Sequence, residues 1–255
     1  MRNWHGRMHE ENVEYTSVLS EEKEKPKSLC DVFCRKEKIK GLLTLIGGFT
    51  LMLYLGCFFL WGNISIYVLS YFHEHKPSAS YNFIFMVDSM LILFQWIGYQ
   101  IGTYLLQKRR WHPKLIIALG AGVSLGGVFA SSYTVSITPY LACYCLMNGL
   151  GCGMNYILPL ICGWEWFPDN KGFVTGVTLG GYGFGSFIFT QISTKLVNPN
   201  NDSPIPNPDP DSDIDYYGPE VADRVPMMIR TLVYIWAGLV FVSLVLITRV
   251  PDPTN

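Results

Sequence analysis

Charge is scarce in this chain, and where it is missing matters more than how much there is. Asp, Glu, Lys and Arg make up only 15% of the 255 residues, against about 25% in an ordinary soluble domain. Long stretches carry none. Gly41 to Phe72, Leu115 to Trp164, Gly172 to Thr194 and Thr231 to Thr248 are uncharged, and Ala79 to Gln107 holds only Asp88. Histidine is equally poor. His5, His9, His73, His75 and His112 all fall in tails or loops, so no zinc-hydrolase signature, His/Asp pair or membrane-embedded metal cluster can be assembled. With no catalytic set, the chain does not read as an enzyme, and no metal or cofactor is implied. Seven cysteines give no disulfide framework. Cys57, Cys143, Cys145, Cys152 and Cys162 sit in apolar helices as small packing residues, while Cys30 and Cys34 in a basic juxtamembrane segment leave palmitoylation open. A formal net charge of -1 gives no bulk affinity for nucleic acid.

Apolar length is abundant. Hydrophobic residues make up 49% of the chain and the mean hydropathy is +0.23. A helix needs roughly 20 mainly apolar residues to cross a bilayer, so the 115 to 164 block must hold two, parted by the polar run from Ser131 to Thr138. The expected fold is an all-α membrane protein with six transmembrane helices, at about 42 to 70, 81 to 106, 115 to 132, 139 to 162, 172 to 196 and 227 to 249. About 40 mostly polar residues precede the first apolar run, so that helix is expected to direct insertion in place of a cleavable leader.

Cations are unevenly shared between the two sides this topology defines. Residues 22 to 40 hold seven and 108 to 114 hold four, with Lys171 and Arg249 on the same side; the other side has Lys76, Lys195 and Arg224. The positive-inside rule then puts both termini in the cytoplasm or its equivalent, without distinguishing plasma from organelle membrane. Residues 1–40, rich in Glu and Lys, read as a cytoplasmic tail disordered in isolation. Residues 41–250 form the transmembrane domain and 251–255 a short tail. The loop from Asn198 to Arg224 alternates Pro and Asp but lacks the Gly and terminal Glu of a calcium loop, so it reads as a solvated connection. Asn201-Asp202-Ser203 in it is a glycosylation sequon followed by Pro204.

Glycine and buried polar groups carry the remaining signal. Gly172, Gly176 and Gly180 recur at four-residue spacing, which predicts a bare helix face packed on a neighbouring helix. Gly149-x-Gly151-x-Gly153 lacks the strand and Lys of a phosphate loop and also reads as packing. Asp88 is the one acid well inside a span, about two turns, or roughly 9 Å, from the outer end. It is a candidate for proton or cation coupling or a hydrogen-bonded structural acid. Gln95 follows on the same face with Tyr99 beyond it. Tyr54, Trp61, Asn63, Asn155 and Tyr182 complete an aromatic and amide set suited to a small, polar, planar solute, or else to packing against lipid and neighbours.

Several motifs go further than topology. Trp61-Gly62-Asn63, Asn148-Gly149-x-Gly151-x-Gly153 before Tyr156 and Pro159, Trp166-Phe167-Pro168-Asp169-x-Lys171-Gly172, and Gly180-x2-Gly183-x-Gly185 resemble the oxalate/formate antiporter group and its monocarboxylate transporter relatives. With six helices and a basic, Gly102-initiated loop between the second and third, the chain resembles the amino-terminal half of a major facilitator superfamily transporter, although the Asp and second Gly usual in that loop are absent. The resemblance implies a small carboxylate as solute, Tyr54, Trp61, Asn63, Gln95, Asn155 and Tyr182 as candidate solute contacts, and Asp88, Lys108, Arg109, Asp169 and Lys171 as candidate coupling or gating charges. It also implies a second six-helix half, supplied by a homodimer or a separate chain. The alternative is a non-transporting membrane subunit whose open seam docks on another complex.

Overall fold

The computed structural model describes residues 29–75, 82–206 and 215–250. The tail residues 1–28 and 251–255 and the Pro- and Asp-rich 207–214, for which disorder or solvation was expected, lie outside these. The chain divides into two units, Met1–Lys40 and Gly41–Asn255. Of the first unit, residues 29–40 are described, and they are helical, forming the start of the helix Leu29–Leu55.

Six helices are long and apolar enough to cross a membrane. We number them spans one to six: Glu37–His75, Ile84–Gln107, Pro113–Ser131, Ile137–Trp166, Pro168–Val197 and Pro219–Leu246. Among the described residues the only β-pairing is an isolated bridge between Ile205 and Tyr216. The protein is thus an all-α, multi-pass integral membrane protein, as lipid demands of backbone that must satisfy its own hydrogen bonds. Spans one and four depart from α-helix deep inside their length. Span one passes through a 3-10 segment at Gly56–Leu60, and span four carries a π segment at Leu141–Met147 and breaks between Tyr156 and Leu158. Pro159 accounts for the second break, because its ring nitrogen cannot donate to the carbonyl four residues back.

Glycines set the inter-helix distances. In a helix successive residues turn by about 100°, so Gly149 and Gly153 share a face and Gly151 points nearly the opposite way. A Cβ at Gly149 would meet Phe94 Cβ at 2.8 Å, and one at Gly153 would meet Tyr99 N at 2.8 Å, both on span two; one at Gly151 would meet Ser124 N at 2.6 Å on span three. Span two answers with Gly98 and Gly102, which lie against the Leu150 and Met154 backbone. Span four is therefore wedged between two helices, each admitted by a different glycine.

Span five departs from expectation. Gly172, Gly176 and Gly180 are exposed, and among the described residues no neighbouring helix comes within 4 Å of where their Cβ atoms would be. The packed face is instead Val174, Thr178, Gly181, Gly185 and Phe189, with Gly181 against Phe49 and Gly185 against Leu53 of span one. Two glycine series with four-residue spacing lie about 100° apart on this helix, and spacing alone does not choose between them. The choice falls to span one, whose Gly56 accepts the close backbone of Tyr182 to Ser186.

Both ends of the bundle are tied. At the end carrying Arg249, its guanidinium grips Glu165 in a two-pronged ion pair, with Nε to Oε1 at 2.9 Å and Nη2 to Oε1 at 2.9 Å. Trp166 Nε1 donates to the Thr248 carbonyl at 2.8 Å, and the Thr248 amide donates to Thr44 Oγ1 at 3.1 Å. Spans one, four and six are joined there. At the other end Tyr217 N donates to Ser70 Oγ at 3.0 Å, Tyr67 and Tyr217 rings lie 4.7 Å apart, and His73 stacks on Tyr216 at 3.9 Å. The segment after span five thereby folds over the end of span one.

Candidate functional site

The aromatic and amide residues sort into two places. One is a groove of about 370 Å³, open along one side, lined by Phe58 and Phe59 of span one, Ile92, Gln95, Trp96 and Tyr99 of span two, Tyr156 of span four and Tyr182 of span five. Positions 92, 95, 96 and 99 recur at the spacing of one helix face, which is why span two contributes half the lining. The Gln95 side chain lies beside the Tyr182 hydroxyl. Its ring meets Phe59 edge-on at 5.1 Å and Tyr156 at 5.7 Å, and Tyr156 in turn lies 6.4 Å from Tyr99. These four rings form a continuous wall. No Lys, Arg, His, Asp or Glu lines the groove.

The other place is the bundle interior. Tyr54 is fully buried, its hydroxyl donating to Ser124 Oγ at 2.7 Å. Ser124 donates to Asn148 Oδ1 at 2.7 Å, and Cys152 Sγ donates to the same oxygen at 3.2 Å. Asn148 and Ser124 are 2% and 1% exposed, so this is a closed polar chain bridging spans one, three and four. A buried polar group without partners is costly, and this chain leaves each member with at least one. Asn155 is also fully buried, donating through Nδ2 to the Ile117 carbonyl at 3.3 Å, with Gly120 opposite its Oδ1. Trp61 donates to the Ile84 carbonyl at 3.2 Å and packs on Tyr144 at 5.5 Å. Asn63 donates to Ser193 and Thr194 of span five at 3.3 and 3.2 Å.

Of the solute contacts expected from the sequence, Gln95 and Tyr182 are in the groove, and Tyr54, Trp61, Asn63 and Asn155 join helices to one another. Tyr99, which the sequence places beyond Gln95 on the same face, lines the groove as well; Trp96 and Tyr156 are not among the solute contacts expected from the sequence. Aromatic residues on an apolar helix face could as well meet lipid, so the register of Trp96 one residue after Gln95 was the only available signal. Asp88 is exposed two turns along span two from Gln95, and no hydrogen bond or ion pair reaches it among the described residues. Lys108 and Arg109, in the turn between spans two and three where Arg110 adopts a left-handed φ of 53°, are exposed, as are Asp169 and Lys171 at the start of span five. Arg230 donates from Nε to Ser132 Oγ at 3.0 Å and covers the Tyr133 ring at 4.1 Å, which commits it to the end of span three, away from the groove.

No family model matches the chain. It is 26% identical to the apicoplast pyruvate carrier 1 of Toxoplasma gondii, over 85% of this chain and 47% of that protein. A second relative is the uncharacterized MFS-type transporter YhjX of Escherichia coli (strain K12), 30% identical over 32% of this chain and 20% of that protein. The oxalate:formate antiporter of Oxalobacter formigenes is 28% identical over 38% of this chain and 22% of that protein. The chain is similar to transporters of the major facilitator superfamily. It spans at most about half the length of the curated relatives it matches. All three are carriers or transporters by name, which points away from an enzyme.

Proposed function

We propose that this chain forms one six-helix half of a carrier for small organic anions of the monocarboxylate or oxalate kind, working with a second half contributed by dimerisation. The observation that carries this reading is the groove itself, walled by spans one, two, four and five and open along one side. In transporters built from two pseudo-symmetric halves, the solute sits near the midplane between them. The pyruvate carrier and the oxalate:formate antiporter among the relatives support the solute class.

In this mechanism the groove contributes hydrogen bonds and ring faces, and the covering half supplies the positive charge. An anion at membrane depth needs a counter-charge or strong donors, and the groove offers only uncharged phenol, indole and amide donors. Asp88 lies on the face of span two that carries Gln95 and Tyr99, so a solute approaching along that face meets a carboxylate. In this reading Asp88 is the candidate coupling residue. Lys108, Arg109, Asp169 and Lys171 stand exposed at the two ends of the same side of the bundle that carries the cation excess, and serve as gating contacts to the second half on the cytoplasmic side.

Two measurements test the reading. Native mass of the purified protein in lipid should give an assembly of two or more six-helix units, and liposomes holding it should exchange pyruvate, lactate, formate or oxalate. A monomer that exchanges such acids refutes the two-half requirement; a stable assembly with no flux of any of them favours a non-transporting membrane subunit. Cysteines introduced at 110 and 169 should label from one side and those at 76 and 208 from the other, both termini sharing the side of 110.

A further inference from the structure

Resting on the carrier reading, we infer that the preferred solute is a monocarboxylate with an aromatic body, and that Trp96 with Phe59 sets this preference. The first ground is size. A two-carbon dianion such as oxalate displaces roughly three waters, about 90 Å³ at about 30 Å³ each, whereas the groove holds about 370 Å³ on this chain's side. The second is chemistry. Six of its eight lining residues are aromatic, one is aliphatic and one an amide. A lining without a cation discriminates against a second negative charge, whose desolvation it does not offset.

The third ground is where the donors sit. The hydroxyls of Tyr99 and Tyr156 make no hydrogen bond among the described residues, and they are two phenol donors beside the Gln95 and Tyr182 pair. A carboxylate accepts from such donors readily. Trp96, 63% exposed within the lining, and Phe59, 57% exposed, present ring surface that no described residue covers. Edge-on or offset contact between rings rewards an aromatic body over an equally long polar one. Headgroup and body therefore have separate places: phenols and amide for the carboxylate, Trp96 and Phe59 for the ring.

The test compares two acids with one headgroup. Phenyllactate and lactate are titrated onto the purified full chain in nanodiscs, read by quenching of tryptophan fluorescence and by calorimetry, with oxalate as the dianion. Phenyllactate should bind at least about 10-fold more tightly than lactate, and oxalate more weakly than either. Trp96→Ala should lower phenyllactate affinity about 3- to 10-fold, the range aromatic pairs span, and lactate affinity by less, so that the preference shrinks; Trp96→Phe should keep the preference while losing most of the quenching. Tyr156→Phe should weaken both acids alike. If lactate or oxalate binds as tightly as phenyllactate, the aromatic preference is wrong and the carrier reading stands. If no carboxylate binds to a chain that retains its helical signal and native mass, both are wrong.

Discussion

Substituting alanine at Gly185 and at Gly176 separates the two glycine series of span five. A Cβ at Gly185 would sit 2.8 Å from the Leu53 carbonyl carbon and 3.1 Å from Leu53 Cα, where carbon atoms normally rest about 3.5 to 4.0 Å apart. The Leu53 carbonyl oxygen lies closer still, so spans one and five must separate by more than about 1 Å, because the obstacle is main chain and has no rotamer to escape into. Overpacking of this kind costs about 1 to 3 kcal/mol. Alanine recovers about 0.8 to 1 kcal/mol of helix propensity over glycine, which leaves a net loss of about 0 to 2 kcal/mol, and the main-chain contact at Gly185 puts it at the upper end. At Gly176 nothing lies within 4 Å, only the propensity term acts, and the variant should be neutral or slightly more stable. Thermal unfolding of both purified proteins in the same detergent should rank Gly176→Ala at or above the parent and Gly185→Ala several degrees below it. Equal midpoints, or the reverse order, would refute the assignment of the packed face.

Ser124 both accepts from Tyr54 and donates to Asn148, so Ser124→Ala should destabilise more than Tyr54→Phe. It leaves two buried partners short of a bond at about 1 to 3 kcal/mol each, and paired denaturation curves will show the ranking. The Glu165–Arg249 pair is partly exposed, with side chains 26% and 42% accessible. A double-mutant cycle using Glu165→Gln and Arg249→Gln should return a coupling of no more than about 1 kcal/mol, shrinking with salt. Tyr217 is shielded from solvent and hydrogen-bonded to Tyr67, which together push its phenol up to about 12 from the usual 10. Its folded-state pKa is raised, so its contribution to stability is complete below pH 10 and is lost as pH rises from 10 towards 12. Tyr217→Phe should flatten stability over that window and remove a component that titrates near 12 from the phenolate absorbance.

The six spans were legible because a bilayer reads composition one segment at a time. Roughly 20 uncharged residues make a helix in lipid whatever their neighbours do, so the charge-free blocks predicted the number and order of the helices. The ends differ where local chemistry intervenes: the first helix begins at Leu29, inside the segment read as a tail, and the fourth extends through a π segment to Trp166. Gly149, Gly151 and Gly153 could be read as packing residues because no other role fits them, but which helix each admits is a pairwise property of two surfaces. The same limit hid the packed face of span five, where Gly176 and Gly181 differ by helix rotation alone. It also divided the polar set. Tyr54 and Tyr182 are both tyrosines in apolar helices, yet one closes a hydrogen bond to Ser124 in the interior and the other walls the groove beside Gln95. The sequence by itself determined a helical membrane protein, because burial in lipid acts on each segment separately. Only the tertiary structure decided which side chains meet, because helix rotation and contact arise between segments.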